Sequence, residues 1–133
     1  MTQRKFALAC LVFLGLSVLA AAIPSIADLS GTWAGRFRAS HSEDDDLTLV
    51  LTKSETGYVG TLNDALGYLK KDTPITDVKT EGKTIRFQFV IIYETGESQD
   101  LGLNLTLDGE RLTGTLEYKA KGGGEPVEFI RKK

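Results

Sequence analysis

From residue 28 onward the chain alternates between apolar and polar side chains in eight short runs. Over 32–38, Trp33, Gly35 and Phe37 fall on one side, with Thr32, Ala34, Arg36 and Arg38 on the other. Over 47–52, Leu47, Leu49 and Leu51 oppose Thr48, Val50 and Thr52. A short run follows at 58–62, carrying Gly60, and a weak one at 75–80, opened by Pro74. The longest spans 84–93, where Ile85, Phe87, Phe89, Ile91 and Tyr93 share a side. Leu101, Leu103, Leu105 and Leu107 repeat the pattern, as do Leu112, Gly114, Leu116 and Tyr118. Val127, Phe129 and Arg131 close it. A period of two is the mark of a strand with one buried face. A helical period is discernible only near 64–70.

The runs are joined by short turn-forming segments. Glu81-Gly82-Lys83 and Asp108-Gly109-Glu110 suit tight hairpins, because glycine takes positive φ without steric cost. Glu55-Thr56-Gly57, Glu94-Thr95-Gly96-Glu97 and Lys121-Gly122-Gly123-Gly124-Glu125 serve the same purpose. Short links between consecutive strands favour a meander. Eight strands that each own one apolar face must bury that face. Closing the sheet on itself does so and removes the exposed edges. The expected fold is therefore all-β, an eight-stranded antiparallel up-and-down β-barrel spanning 28–133. A two-sheet sandwich uses the same alternation and stands as the alternative.

The first 27 residues read differently. Arg4 and Lys5 precede an almost wholly apolar stretch from Phe6 to Ala22, and Ser25-Ile26-Ala27 follows. A basic start, an apolar core and a small-x-Ala end are the parts of a signal peptide, here 1–27. Cleavage before Asp28, or at a second site after Ala22, gives a secreted or periplasmic protein with no stable membrane anchor; if retained, the apolar run is about as long as the shortest spanning helix and anchors the chain. The leader carries Cys10, the only cysteine. The mature chain then has no disulfide, thiol nucleophile or thiolate metal site. Of 16 lysines and arginines, two lie in the leader, against 18 acidic residues. A mildly acidic domain argues against a nucleic-acid partner.

An apolar-x-Gly-Thr-apolar echo recurs at 29–33, 58–62 and 112–116. Inward glycines of this kind leave room in a crowded barrel and let strands coil sharply. The first copy holds the only tryptophan, Trp33. Together, Asp28-Leu-Ser-Gly-Thr-Trp-Ala-Gly35, Leu47-Thr-Leu-Val-Leu51, Pro74-Ile-Thr-Asp-Val78 and Leu112-Thr-Gly-Thr-Leu116 resemble a bacterial secreted lipocalin-like domain of the calycin group. That domain occurs alone or ahead of hydrolase domains. The resemblance implies that Trp33 plugs the closed end of the barrel beneath a late arginine, for which Arg131 has the right parity. A guanidinium over an indole contributes about 0.5–2 kcal/mol. The chain is shorter than true lipocalins and lacks their C-terminal helix. Its single tryptophan sets it apart from avidins.

An eight-stranded barrel is just wide enough to be filled by side chains or to hold one small ligand. The many large inward residues favour a mostly filled interior, with Gly35, Gly60 and Gly114 restoring space. The residues expected to line any cavity are Phe37, Tyr58, Phe87, Phe89, Leu103 and Tyr118. Tyr58 and Tyr118 can offer hydroxyls to a ligand or to backbone carbonyls. Residues 63–72 form either a lid, with Leu66, Tyr68 and Leu69 turned inward, or an ordinary surface loop.

Chemistry is sparse. The one histidine, His41, sits in a polar stretch with no oriented nucleophile. The run Glu43-Asp44-Asp45-Asp46 lacks the spaced ligands and central glycine of a calcium loop and reads as a solvated hairpin tip. No phosphate-binding loop or paired acid–base motif is present. The expectation is a non-enzymatic protein without metal or cofactor. It binds a small apolar or amphipathic molecule, or else serves as an interaction module, an inhibitor or a hydrolase accessory domain.

Overall fold

The structure, a computed structural model, describes residues 27–38 and 44–133. The expected leader lies outside these residues except for Ala27, and so do His41 and Glu43. Among the described residues there is no helix. Nine strands form: β1 (Gly31–Arg38), β2 (Asp44–Ser54), β3 (Gly57–Asp64), β4 (Thr73–Pro74), β5 (Thr76–Glu81), β6 (Thr84–Ile92), β7 (Ser98–Asp108), β8 (Arg111–Tyr118) and β9 (Gly124–Arg131). The sheet order is β4-β3-β2-β1-β9-β8-β7-β6-β5, antiparallel throughout. This is an up-and-down, nearly closed barrel.

The strand count is nine instead of eight because the expected fourth strand is split. β4 and β5 stand at the two ends of the sheet order, yet only Ile75 separates them along the chain. The first half pairs with β3, through Thr61–Pro74 and Leu62–Thr73. The second half pairs with β6. Pro74 has no N–H to continue the first ladder. Asp77 takes φ of 50°, and the β5–β6 register shifts between Thr76 and Lys79. The bulge turns the strand from one neighbour to the other. Ile75 N–H still donates to Gly60 O at 3.1 Å, which holds the corner against β3.

At the other seam the ring is closed by ordinary pairing. β1 lies against β9 from Trp33–Arg131 to Arg36–Glu128. Lys132 N–H extends this by donating to Thr32 O at 2.8 Å. The hairpins turn where the glycines were expected to turn them. Gly82 and Gly109 have φ of 61° and 62°, so a side chain there would be strained.

The core is the inward set of the alternating runs. Trp33, Leu49, Leu62, Ile85, Leu105, Leu112 and Phe129 are fully buried. Two glycines of the echo are set by strand approach more than by interior space. A β-carbon on Gly60 or Gly114 would run into the carbonyl of Val50 or Asn104 on the neighbouring strand. Gly35 is different, because a β-carbon there would enter the ring of Phe129.

Trp33 has no exposed surface. Its indole N–H donates to Leu29 O at 3.0 Å. The Arg131 guanidinium lies 4.3 Å from the indole centroid. Arg131 also donates to Ser30 O, to Asp28 O at 3.0 Å and to Glu110 Oε2 at 3.0 Å. A single side chain thus ties the first residues of the barrel to the last strand and to the β7–β8 turn. Replacing Trp33 by alanine is expected to cost about 3–5 kcal/mol of unfolding free energy in a urea titration. A loss below about 1 kcal/mol would show that the indole is not the plug.

Candidate functional site

The plug occupies one end of the barrel. Phe37 follows Trp33 by four residues on β1 with the same inward parity, about 13 Å further along the strand. There the interior is not filled, and a cavity of about 300 Å³ opens at that end. Its floor is apolar and buried, formed by Leu47, Phe89, Leu101 and Leu116. Phe37 and Ile91 extend the wall outward, and Tyr68, Tyr93, Gln99, Tyr118, Lys121, Glu125 and the pair Asp45 and Asp64 bring polar atoms to it.

Three of the six expected lining residues, Phe37, Phe89 and Tyr118, are on this wall. Phe87 and Leu103 point inward but belong to the packed core. They pair with each other, and Leu103 pairs with Leu116, one level below the Phe89–Leu101–Tyr118 row. Tyr58 is elsewhere. It pairs with Lys53 beyond Leu51–Gly60, on the plug side. Its hydroxyl accepts Leu29 N–H at 2.9 Å and donates to Ala27 O at 3.4 Å. Tyr58 therefore fastens the lead-in strand under the plug. Parity identified it as inward, whereas its height along the barrel depends on register.

The polar atoms of the wall are organised. The Tyr93 hydroxyl donates to Gln99 Oε1 at 2.7 Å across the β6–β7 hairpin. The Lys121 ammonium sits 5.3 Å from the Tyr118 ring centroid. Burial, and then the nearby Glu125 carboxylate, raise the Tyr118 phenol above its ordinary value.

Asp45 corrects the reading of the acidic run. Residues 44–46 are not a solvated tip but the start of β2, with alternating exposure. Asp44 and Asp46 are exposed, and Asp46 pairs with Arg36 at 3.0 Å. Asp45 turns inward and is only 4% exposed. Its Oδ1 accepts Ala65 N–H at 3.1 Å and Leu66 N–H at 3.0 Å. Asp64, in contact with it, accepts Tyr68 N–H at 2.8 Å and Leu69 N–H at 3.0 Å. Burial and the bond to Asp64 push the Asp45 carboxyl up to about 6. Asp45 shares the parity of Leu47, Leu49 and Leu51, so the alternation extended backwards was the signal for its burial.

These carboxyls act on the segment between β3 and β4. Asn63 and Asp72 close that segment at its base, Asn63 Nδ2 donating at 3.2 Å and Asp72 N–H donating back at 2.8 Å. No helix forms near 64–70. Leu69 is buried and lines the cavity, and Tyr68 lines it while 48% exposed. Leu66 is 43% exposed and does not turn inward as expected. Among the described residues no group of three or more His, Cys, Asp or Glu could hold a metal ion.

Compared with known protein families, with curated proteins and with solved structures, the chain matches none.

The raised Tyr118 phenol is open to direct measurement. Its neutral form is favoured in the folded state, so it supports the fold below the ordinary phenol value of 10.0, and that support fades as pH rises through the raised value. Spectrophotometric titration of the wild type and of Tyr118→Phe should differ by one phenol ionising above about pH 10. A difference curve centred at or below that point would place Tyr118 in water.

Proposed function

We propose that this protein is a secreted or periplasmic, non-catalytic, lipocalin-like barrel that carries one small amphipathic molecule. The observation that supports the reading most is the cavity of about 300 Å³ at the end opposite the plug. Its size suits a single compact ligand, at the low end of ordinary small-molecule sites. Its wall grades from Leu47, Phe89, Leu101 and Leu116 inside to phenols, an amide, carboxyls and an ammonium outside. An apolar body inserted first, with a polar end left at the mouth, satisfies both zones. The apolar run over 6–22 supports an extracytoplasmic site of action. The Gly31-Thr32-Trp33 opening and the stack of Arg131 on Trp33 support the lipocalin-like assignment.

A second reading rests on the exposed apolar side chains at the same end. Leu66, Tyr68, Ile92 and Tyr93 are each 40% exposed or more. Such a group supports an interaction module that meets a partner protein through its open end.

N-phenyl-1-naphthylamine, a neutral fluorophore of suitable size, tests the first reading. It should brighten on binding wild-type protein. Ile91→Trp, which projects a larger ring from the wall, should weaken binding by at least about tenfold, or 1.4 kcal/mol. Equal affinity in the two proteins would exclude the cavity as the site. So would native mass spectra without any extractable small molecule, taken together with a co-purifying protein.

A further inference from the structure

The cavity wall contributed by the β3–β4 segment is held by two carboxyl groups in contact with each other. Asp45 reaches from β2 to the amides of Ala65 and Leu66, and Asp64 reaches from β3 to those of Tyr68 and Leu69. Four loop N–H groups thus converge on one pair, and Tyr68 and Leu69 form cavity wall beyond them. Two acidic groups can share a hydrogen bond only while one proton lies between them. Removal of that proton leaves two like charges in contact, one of them almost wholly buried.

We propose that residues 65–69 are a lid latched by a proton shared between Asp45 and Asp64, closed in acid and released toward neutral pH. This regulation of the cavity rests on the ligand-binding reading above. The loop amides alone would favour charged carboxylates, since each donates to an oxygen. Burial and the Asp64 contact outweigh them at Asp45, whose carboxyl stands at about 6 instead of the ordinary 3.8. The closed lid is therefore fully supported below about pH 3.8, and that support is lost as pH rises through about 6.

Among the described residues, other charged groups surround the pair, and Lys70, Lys71 and Asp72 follow the segment itself. Along β2, Asp44 and Asp46 are exposed, and both act on Arg36 across the β1–β2 ladder. On β1, Phe37 is the residue opposite Asp45, with Arg38 opposite Asp44. Across the cavity stand the phenols of Tyr68, Tyr93 and Tyr118, the Lys121 ammonium over the Tyr118 ring, and Glu125. Asp64 is the carboxyl beside Asp45, and burial together with this neighbour raises the Asp45 carboxyl.

The test follows hydrogen exchange at the amides of Ala65, Leu66, Tyr68 and Leu69, relative to Leu105 in the β7 core, in protein expressed from the full-length sequence. From about pH 4 to about pH 8, wild-type protection of the lid amides should fall on the order of a hundredfold against Leu105. Dissociation of bound N-phenyl-1-naphthylamine should quicken over the same interval. Asp45→Asn keeps a donor toward Asp64 and an acceptor toward the loop without titrating. It should hold the lid closed throughout, with a flat profile. Asp45→Ala should leave the lid unprotected at every pH, while Leu105 protection reports that the barrel is intact. A flat wild-type profile overturns the latch, as does an Asp45→Asn profile as steep as wild type. Lid amides that follow pH while no probe binds at either extreme uphold the latch and remove the ligand-binding reading. A probe that binds and leaves at one rate throughout overturns the latch and leaves that reading standing.

Discussion

The barrel depends on one cation held where its first strand meets its last. Arg131 stacks on the Trp33 indole and donates to backbone oxygens of Asp28 and Ser30, more than a hundred residues away along the chain. A guanidinium so placed gives up part of its hydration, and that loss is tolerable only because several acceptors converge on it. The convergence in turn fixes the register of β1 against β9, since Trp33 and Arg131 are direct partners in that ladder. A slip of one residue between the two strands would put Trp33 and the Phe129–Arg131 set on opposite faces of the sheet. Closure, register and the dry end of the interior are therefore one constraint seen from three sides. Tyr58 reinforces it, because its hydroxyl clamps the lead-in residues that Arg131 also holds.

Nothing comparable fills the other end. The fourth strand breaks at Ile75 and crosses from β3 to β6, so the ring is joined between those two strands by a covalent corner and not by a full ladder. Interior side chains pack completely around Trp33, Leu49 and Phe129, then thin out past Phe89 and Leu101. The resulting space is partly walled by a segment with no strand ladder of its own. Side-chain acceptors organise that segment instead: Asn63, Asp64 and Asp45 take up the loop N–H groups that a sheet would otherwise have paired. The two ends thus differ in how backbone polar groups are satisfied, by strand ladders at the plug and by side-chain acceptors at the mouth.

What could be read from the residues was governed by parity. Each expected run corresponds to a strand, and the inward positions of 47–51, 85–89 and 101–105 are buried as the alternation requires. The Trp33–Arg131 stack was legible through the family resemblance, with which the inward parity of both residues agreed. Axial height was not legible, since it depends on register and shear. Tyr58, Phe87 and Leu103 therefore faced inward as expected, yet stand away from the cavity wall. The two-residue β4 has no alternation to detect. Asp45 was hidden by composition: four acids in a row read as solvent-facing, although period two already placed the third of them among the inward leucines.

Why a barrel of this size leaves part of its interior unfilled follows from the chemistry of the wall. A dry apolar void of about 300 Å³ would be costly in a domain of roughly a hundred residues. This one is not dry by composition. The Tyr118 phenol, the Gln99 amide and the carboxyls of Asp64 and Glu125 give water its partners when the space is empty. The floor of Leu47, Phe89, Leu101 and Leu116 gives water none, so solvent against it is the most easily displaced. An occupant gains by covering the floor while leaving the outer hydrogen bonds to itself or to retained water. A purely apolar molecule would strip those outer groups, and a purely polar one would gain nothing from the floor. Under the proposed ligand-binding reading, the wall therefore favours an amphipathic occupant, oriented apolar end first.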